Sequence, residues 1–71
     1  MNKPLTLLNQ NLNNRVIVAL RGKIEYRGVL DGYDPHMNLV LKNVEEVVGE
    51  VTKGTLNTAI IRGDNVIYIS I

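Results

Sequence analysis

A chain of 71 residues without cysteine can bury only a small hydrophobic core and has no disulfide to stabilise it. Its single histidine, His36, leaves too few ligands for an all-protein zinc site, so oligomerisation remains as the way to stabilise so small a fold. Eight basic and seven acidic residues give a net charge of +1, which excludes a basic clamp for polyanions. We expect one domain over residues 1–71, with no cofactor and no metal.

The chain shows no signal for export or membrane insertion. Residues 1–10 contain one lysine and no apolar run of the length found in signal peptides. No stretch approaches the roughly 20 apolar residues that a membrane span needs. We therefore expect a cytoplasmic protein with no membrane partner.

The N-terminal segment has the apolar spacing of a short helix. Leu5, Leu8 and Leu12 lie three and four residues apart, which places them on one helical face. Pro4 suits a first turn, where its missing N–H is not needed, and Asn11 begins an asparagine-rich stretch that favours a cap. A helix of about nine residues is marginal in isolation, so we expect its leucines to dock it on a sheet.

Five short strands are predicted after the helix. Their β-branched and apolar runs cover residues 15–20, 24–33, 39–48, 55–62 and 66–71, with turns at 21–23, 34–38, 49–54 and 63–65. The last turn is short enough to predict a tight hairpin. No helix separates the strands, so they are expected to be antiparallel. Gly28 and Gly32 inside the second strand indicate strong bending, which is typical of an OB-like or SH3-like small barrel.

Two separated stretches resemble the signature of the Sm and LSm family. Residues 26–41 have the sequence YRGVLDGYDPHMNLVL, a glycine-bearing strand followed by an aspartate, a loop ending in Met-Asn and an apolar strand. Residues 61–66 have the sequence IRGDNV, and residues 5–12 resemble the family's N-terminal helix. Both motifs occur in the family's order and with a family-like spacing. The sequences of the two motifs most resemble those of archaeal Sm-like proteins, whereas the bacterial relative Hfq typically has a different second motif.

This resemblance implies the Sm fold, a mainly β structure with a short N-terminal helix followed by five strongly bent antiparallel strands. It implies a homo-oligomeric ring, usually of seven subunits in archaeal members, that binds uridine-rich single-stranded RNA at its central pore. It also implies a role in RNA processing, as a ribonucleoprotein core or a chaperone. Carried over by position, the RNA-binding residues are His36, Asn38, Arg62, Gly63 and Asp64, with Asp64 behind Asn38.

The chemistry of these residues fits a base pocket. The flat side chains of His36 and Arg62 can stack on a nucleobase, although a loop histidine and an ion pair of Arg62 with Asp64 or Asp34 are alternative explanations. Asn38 offers a donor beside an acceptor, which matches the N3–H and O4 of uracil, and it could instead cap its own turn. Because a carboxylate only accepts hydrogen bonds, Asp64 is predicted to hold the NH₂ of Asn38 and so favour uracil over cytosine.

The final strand, 66–71, is apolar on both faces and has no charged residue or proline to protect it as a sheet edge. Pairing it head to tail with strand four of a neighbour would bury it. Such a contact closes into a ring when the rotation fits.

Two other classes of function remain open, and an enzyme is not expected. His36 could pair with Asp34 or Asp64, but Ser70, the only serine, lies in the last strand and not beside a base. No small-molecule substrate is expected either. The alternatives are a monomeric OB-like or SH3-like module that binds peptides or single strands, and a structural ring that scaffolds other proteins. Ultracentrifugation separates the first from a ring, and titration with oligouridine separates the second.

Overall fold

A computed structural model describes residues 3–71 as a short helix and one five-stranded antiparallel sheet. The elements are α1 (Pro4–Gln10), β1 (Arg15–Leu20), β2 (Ile24–Tyr33), β3 (Leu39–Val48), β4 (Val51–Ile61) and β5 (Val66–Ser70). The strands lie side by side in the order β4-β3-β2-β1-β5. The predicted fold class is confirmed. No helix in this part of the chain is long and apolar enough to cross a membrane.

The core lies between α1 and one face of the sheet. Leu8 of α1 is 3% exposed and packs against alternate residues of the strands. The other buried members of this core are Val16, Val18, Leu30, Leu39, Leu41, Val44 and Ile61. Leu12 packs on the same core while remaining partly exposed, but Leu5 is exposed. Part of the predicted leucine stripe therefore docks the helix. Burial of one such leucine contributes about 1.5–3 kcal/mol.

Breaks in the pairing of β2 with β3 allow the sheet to bend. The register shifts between Arg27 and Val29 and again between Leu30 and Gly32. At the first break a Cβ on Gly28 would lie 2.8 Å from the carbonyl oxygen of Lys42, so a larger residue does not fit without displacing β3. Such irregularities bend a strand and increase its twist. The bend predicted from the glycines of this strand is present in the structure.

The β3–β4 hairpin is longer than the sequence predicted. The turn contains only Gly49 and Glu50, with φ angles of +55° and +70°, and pairing begins again at Val48 and Val51. Two consecutive positive φ angles form the tight turn whose twist matches that of the flanking strands. Gly54, assigned to the turn from sequence, lies inside β4, where nothing stands within 4 Å of the position its Cβ would occupy.

The connection between β4 and β5 is not the predicted hairpin. Gly63–Asn65 forms one turn of 3-10 helix, and the strands it joins occupy opposite edges of the sheet. β4 pairs with β3, while β5 pairs with β1. The four residues from Arg62 to Asn65 span at most about 14 Å. The ends of the two edge strands must therefore lie close together, so the sheet curls into a partly open barrel.

Candidate nucleic-acid interface

Two loops meet beside the sheet and bring the two sequence motifs together. Residues 34–38 connect β2 to β3, and residues 62–65 connect β4 to β5. The backbone of Gly63 packs directly on the first loop. An added Cβ there would overlap the carbonyl oxygen of His36 and lie 2.9 Å from the carbonyl carbon of Met37. Only glycine allows this contact, so Gly63 contributes to the site through its backbone.

The carboxylate of Asp34 organises the first loop. Its Oδ1 accepts hydrogen bonds from the backbone N–H groups of His36 and Asn38, at 2.9 and 3.0 Å. Its Oδ2 accepts a hydrogen bond from the side-chain Nδ2 of Asn38 at 2.8 Å. Hydrogen bonds to an ionised acceptor are stronger than those between neutral groups. The bond from the Asn38 amide is the largest cause that lowers the pKa of Asp34, and the backbone donors and His36 add to it. Asp34 therefore shapes this turn.

The amide of Asn38 is fixed at both ends. Its Nδ2 donates to Asp34, and its Oδ1 accepts the backbone N–H of Gly63 at 2.8 Å, a bond that links the two loops. Turning the amide over would place its NH₂ against the N–H of Gly63 and its oxygen against the carboxylate. Both contacts would be repulsive, so the network itself determines the orientation. Beyond these bonds the amide has one further N–H and one further lone pair to offer a ligand.

Asp64 does not orient Asn38, and that prediction is wrong. The carboxylate of Asp64 lies 3.3 Å from Nη2 of Arg62, and both side chains are largely exposed. The bonds to Asn38 come instead from Asp34 and Gly63. Asp34 reaches Asn38 because the two residues bracket one tight turn, whereas Asp64 belongs to the other loop. An aspartate before a proline-containing turn is a recognisable signal that its carboxylate accepts hydrogen bonds from backbone N–H groups of that turn, but it does not predict the bond to the Asn38 side chain.

A concave surface that encloses a volume of about 790 Å³ lies beside these loops. Its lining comprises Gly32, Tyr33, Asp34, His36, Asn38, Leu39, Val40, Ile60, Arg62 and Asp64. Four of the predicted residues line it, and Gly63 does not. The sequence did not assign Tyr33, Val40 and Ile60 to the site. These residues belong to the adjoining strands β2, β3 and β4. Tyr33 and Val40 are half-buried and Ile60 is exposed, and a strand residue next to a site loop gives no signal of its own in sequence.

The side chains gathered here offer planes for stacking and fixed hydrogen-bonding groups. His36 and Arg62 come from different loops and line the same surface. The ion pair of Arg62 with Asp64 is exposed, and such pairs contribute at most about 1 kcal/mol, so the guanidinium is free to rearrange around a ligand. In residues 3–71, no three His, Asp or Glu side chains are grouped to hold a metal ion.

Comparison with known proteins identifies the family. Residues 6–71 match the model of the LSM domain. The chain belongs to the LSM family. A protein of Methanococcoides burtonii described as snRNP Sm-like is 54% identical to this LSM protein over 70 residues, which cover 97% of this chain and 96% of the relative.

Solved structures agree with this assignment. The Sm protein of Pyrococcus abyssii in complex with a uridine heptamer matches this LSM chain with a TM-score of 0.92 at 38% identity, covering 97% of each chain. A heptameric archaeal Sm protein matches with a TM-score of 0.83 at 36% identity, covering 90% of this chain and 93% of that one. The predicted likeness to archaeal Sm-like proteins is confirmed. Family membership also confirms that this LSM protein is not an enzyme.

Proposed function

We propose that this LSM protein forms a ring that binds uridine-rich single-stranded RNA, with His36, Asn38, Arg62, Gly63 and Asp64 as its base site. The observation that carries the proposal is the amide of Asn38, which Asp34 and Gly63 hold in one orientation at the edge of an open concave surface. In this proposal residues 1–71 form one Sm-like domain, and the ring acts in the cytoplasm.

The fixed amide of Asn38 explains a preference for uracil. Uracil presents the N3–H donor beside the O4 acceptor, so the free lone pair of Asn38 can accept N3–H while its free N–H donates to O4. Cytosine presents an acceptor at N3 beside a donor at N4, the reverse order. Each unpaired buried group costs about 1–3 kcal/mol. Because the amide cannot turn over without losing its bonds to Asp34 and Gly63, cytosine is rejected.

Stacking supplies the part of the affinity that does not depend on base identity. The side chains of His36 and Arg62 line the surface from separate loops, so a base bound between these two side chains can contact both planes. Stacking of one base on a flat side chain contributes roughly 1–3 kcal/mol in single-strand binding proteins. In this proposal Asp64 contributes to the site as the exposed ion-pair partner of Arg62.

The two edges of the sheet support a ring. β4 and β5 are its outer strands, and exposed apolar residues lie on or beside them: Val51, Leu56 and Ile60 on β4, Ile67 and Tyr68 on β5, and Ile71 after it. An uncovered apolar edge favours pairing with another chain. Since the two edges differ, β5 of one subunit would pair with β4 of the next in a head-to-tail contact, which closes into a ring.

The relatives favour seven subunits and an RNA ligand. One matched Sm protein is a heptamer, and another was solved with a uridine heptamer. Within this function, the snRNP-like name of the Methanococcoides burtonii relative supports a role in RNA processing, as a ribonucleoprotein core or a chaperone.

The proposal is tested by sedimentation together with fluorescence titration of labelled oligouridine and oligocytidine. A single species of about seven chain masses that binds oligouridine more tightly than oligocytidine is the expected result. A monomer would favour the OB-like or SH3-like binding module. A ring with equal, weak affinity for both oligonucleotides would favour the structural scaffold.

The ring contact is tested separately by deleting residues 68–71. Loss of these residues removes most of the β5 edge and should give a species smaller than the ring. A folded, soluble truncation that still sediments as the full ring would exclude β5 as the intersubunit strand.

A further inference from the structure

Met37 lies between two functional residues but faces away from them. His36 and Asn38 line the concave surface of the base site. Met37 instead lines an apolar groove on another side of the molecule, together with Pro4, Leu7 and Leu8 of α1 and with Val66 and Ile69 of β5. It is partly buried there and packs on the hydrophobic core. One three-residue segment therefore has contacts with both the base site and the helix.

The backbone of Met37 adopts a conformation that methionine rarely takes. Its φ angle is +65°, in the left-handed region that glycine and asparagine enter most easily. The turn places this residue between the two backbone N–H groups that Asp34 accepts, and the N–H of Met37 itself donates to the carbonyl oxygen of Asp34 at 3.0 Å. A turn alone would favour glycine here. A long apolar side chain at such a position indicates that its packing in the groove compensates for the unfavourable backbone.

Contact with the second loop passes through the same residue. The carbonyl carbon and oxygen of Met37 would lie 2.9 and 3.0 Å from a Cβ on Gly63, so the two backbones are in direct contact. The N–H of Gly63 in turn fixes the oxygen of Asn38. A shift of Met37 would therefore move both partners that define the direction of the Asn38 amide.

We infer that Met37 is a positioning residue, through which α1 and β5 hold the base-binding loop at the angle that uracil recognition needs. Its side chain acts as an anchor in the α1–β5 groove, and its backbone transmits that anchoring to His36, Asn38 and Gly63. This inference rests on the proposed function for its effect on RNA. Its effect on the loop itself can be measured in the ligand-free protein.

The test compares Met37→Ala, which removes the anchor, with Met37→Leu, which keeps an apolar side chain in the groove. Leu12→Ala is the matched control, because Leu12 packs on the same core but does not line the groove. Two quantities are measured for each ring. One is the hydrogen-exchange rate of the Gly63 amide relative to the amides of β3. The other is the ratio of oligouridine to oligocytidine affinity.

We expect Met37→Ala to accelerate exchange at Gly63 while β3 remains protected, and to lower oligouridine affinity roughly tenfold, with a smaller uridine-to-cytidine ratio. Met37→Leu should keep the Gly63 exchange rate and the oligouridine affinity close to those of wild type. Leu12→Ala should lower the melting temperature without changing the relative exchange at Gly63 or the uridine-to-cytidine ratio. Unchanged relative exchange at Gly63 in Met37→Ala would overturn the inference, whatever the RNA result. Faster exchange in a protein whose wild type does not bind oligouridine would support the positioning role and refute the proposed function.

Discussion

Asp34 and Asn38 are joined by three hydrogen bonds across one turn. Asn38 donates its backbone N–H and its side-chain NH₂ to the carboxylate of Asp34, at 3.0 and 2.8 Å, and its carbonyl oxygen accepts the N–H of Asp34 at 3.1 Å. The same carboxylate thus sets the path of the loop and the direction of the amide. A change at Asp34 should affect which base is bound, and not only how tightly.

Asp34→Asn is predicted to reduce discrimination between uridine and cytidine. The new side chain can still accept backbone N–H groups through its oxygen, but its NH₂ would face the NH₂ of Asn38. The amide of Asn38 then has no single preferred orientation. We expect the ratio of oligouridine to oligocytidine affinity to fall by about 10-fold, equivalent to roughly 1.4 kcal/mol.

Asp64→Asn is the matched control for that substitution. Asp64 contacts Arg62 and not Asn38, so removing its charge should leave the base preference within about twofold of wild type. Competition titrations with both oligonucleotides give the ratios directly. A larger loss of preference in Asp64→Asn than in Asp34→Asn would show that Asp64 is the orienting group after all.

The preference for uridine over cytidine should depend on pH only under acidic conditions. The hydrogen bonds from Asn38 and His36 place the pKa of Asp34 below its ordinary 3.8, so the folded loop favours the ionised carboxylate. Its contribution is fully present above pH 3.8 and is lost as the pH falls through the lowered pKa. The uridine-to-cytidine ratio should therefore stay constant from pH 8 to pH 5. A fall in that ratio near neutral pH would assign the orientation of Asn38 to a different titrating group.

His36→Ala should weaken binding of every base by a similar factor. In the proposed site the imidazole stacks on the base without a base-specific hydrogen bond, so its removal should cost roughly 1–3 kcal/mol per bound base for uridine and cytidine alike. The two affinities fall while their ratio stays close to that of wild type. Titration of both oligonucleotides against His36→Ala measures this. Selective loss of uridine binding would give His36 a role in base readout.

Oligouridine affinity should depend only moderately on salt. Each subunit carries a net charge of +1, and the guanidinium of Arg62 is already paired with Asp64. Each neutralised phosphate of a single strand contributes about −0.7 to the log–log slope, so few contacts per subunit give a shallow slope. Affinities between 50 and 500 mM salt, roughly one decade, suffice to measure it. A slope typical of about ten phosphate contacts would mean that backbone charge dominates over the base pocket.

Gly63→Ala should destabilise the protein far more than Gly32→Ala. A methyl group on Gly63 would overlap the carbonyl oxygen of His36, a backbone atom that can move only with its loop. On Gly32 the nearest atom to an added methyl is a side-chain carbon of Val40 at 3.9 Å, an ordinary contact. We expect a loss of at least about 2 kcal/mol in the first variant and under about 1 kcal/mol in the second. Denaturant unfolding of the two variants makes the comparison.

The strands were predictable because the signals for each strand lie in its own stretch of sequence. The bounds of β2 and β3 follow from apolar and β-branched runs ended by glycine and proline, and those signals lie within the segment itself. The hairpin predicted at residues 63–65 failed for a non-local reason. A short link was expected to join adjacent strands, but the four residues 62–65 join the two edge strands, which the curvature of the sheet brings together. No local pattern encodes the total curvature of five strands.

The candidate site shows the same limit at the level of single residues. Bringing His36, Asn38 and Arg62 to one surface was predictable from two motifs. The partner of Asn38 was not, because Asp34 and Asp64 are both acidic loop residues and either could have faced the amide. Only the geometry of the turn, which points the carboxylate of Asp34 back at Asn38, distinguishes them.

The two-residue turn of the β3–β4 hairpin offers a position for attaching a reporter. Nothing lies within 4 Å of where a side chain on Gly49 would begin, and Gly49 and Glu50 are both exposed. They also lie at the far ends of β3 and β4 from the loops of the base site. A cysteine introduced at Glu50 would be the chain's single thiol, so a fluorophore could be attached there alone. The fluorophore would lie away from the base site. One residue added to the 62–65 link, by contrast, would lengthen the short connection that keeps β4 and β5 together.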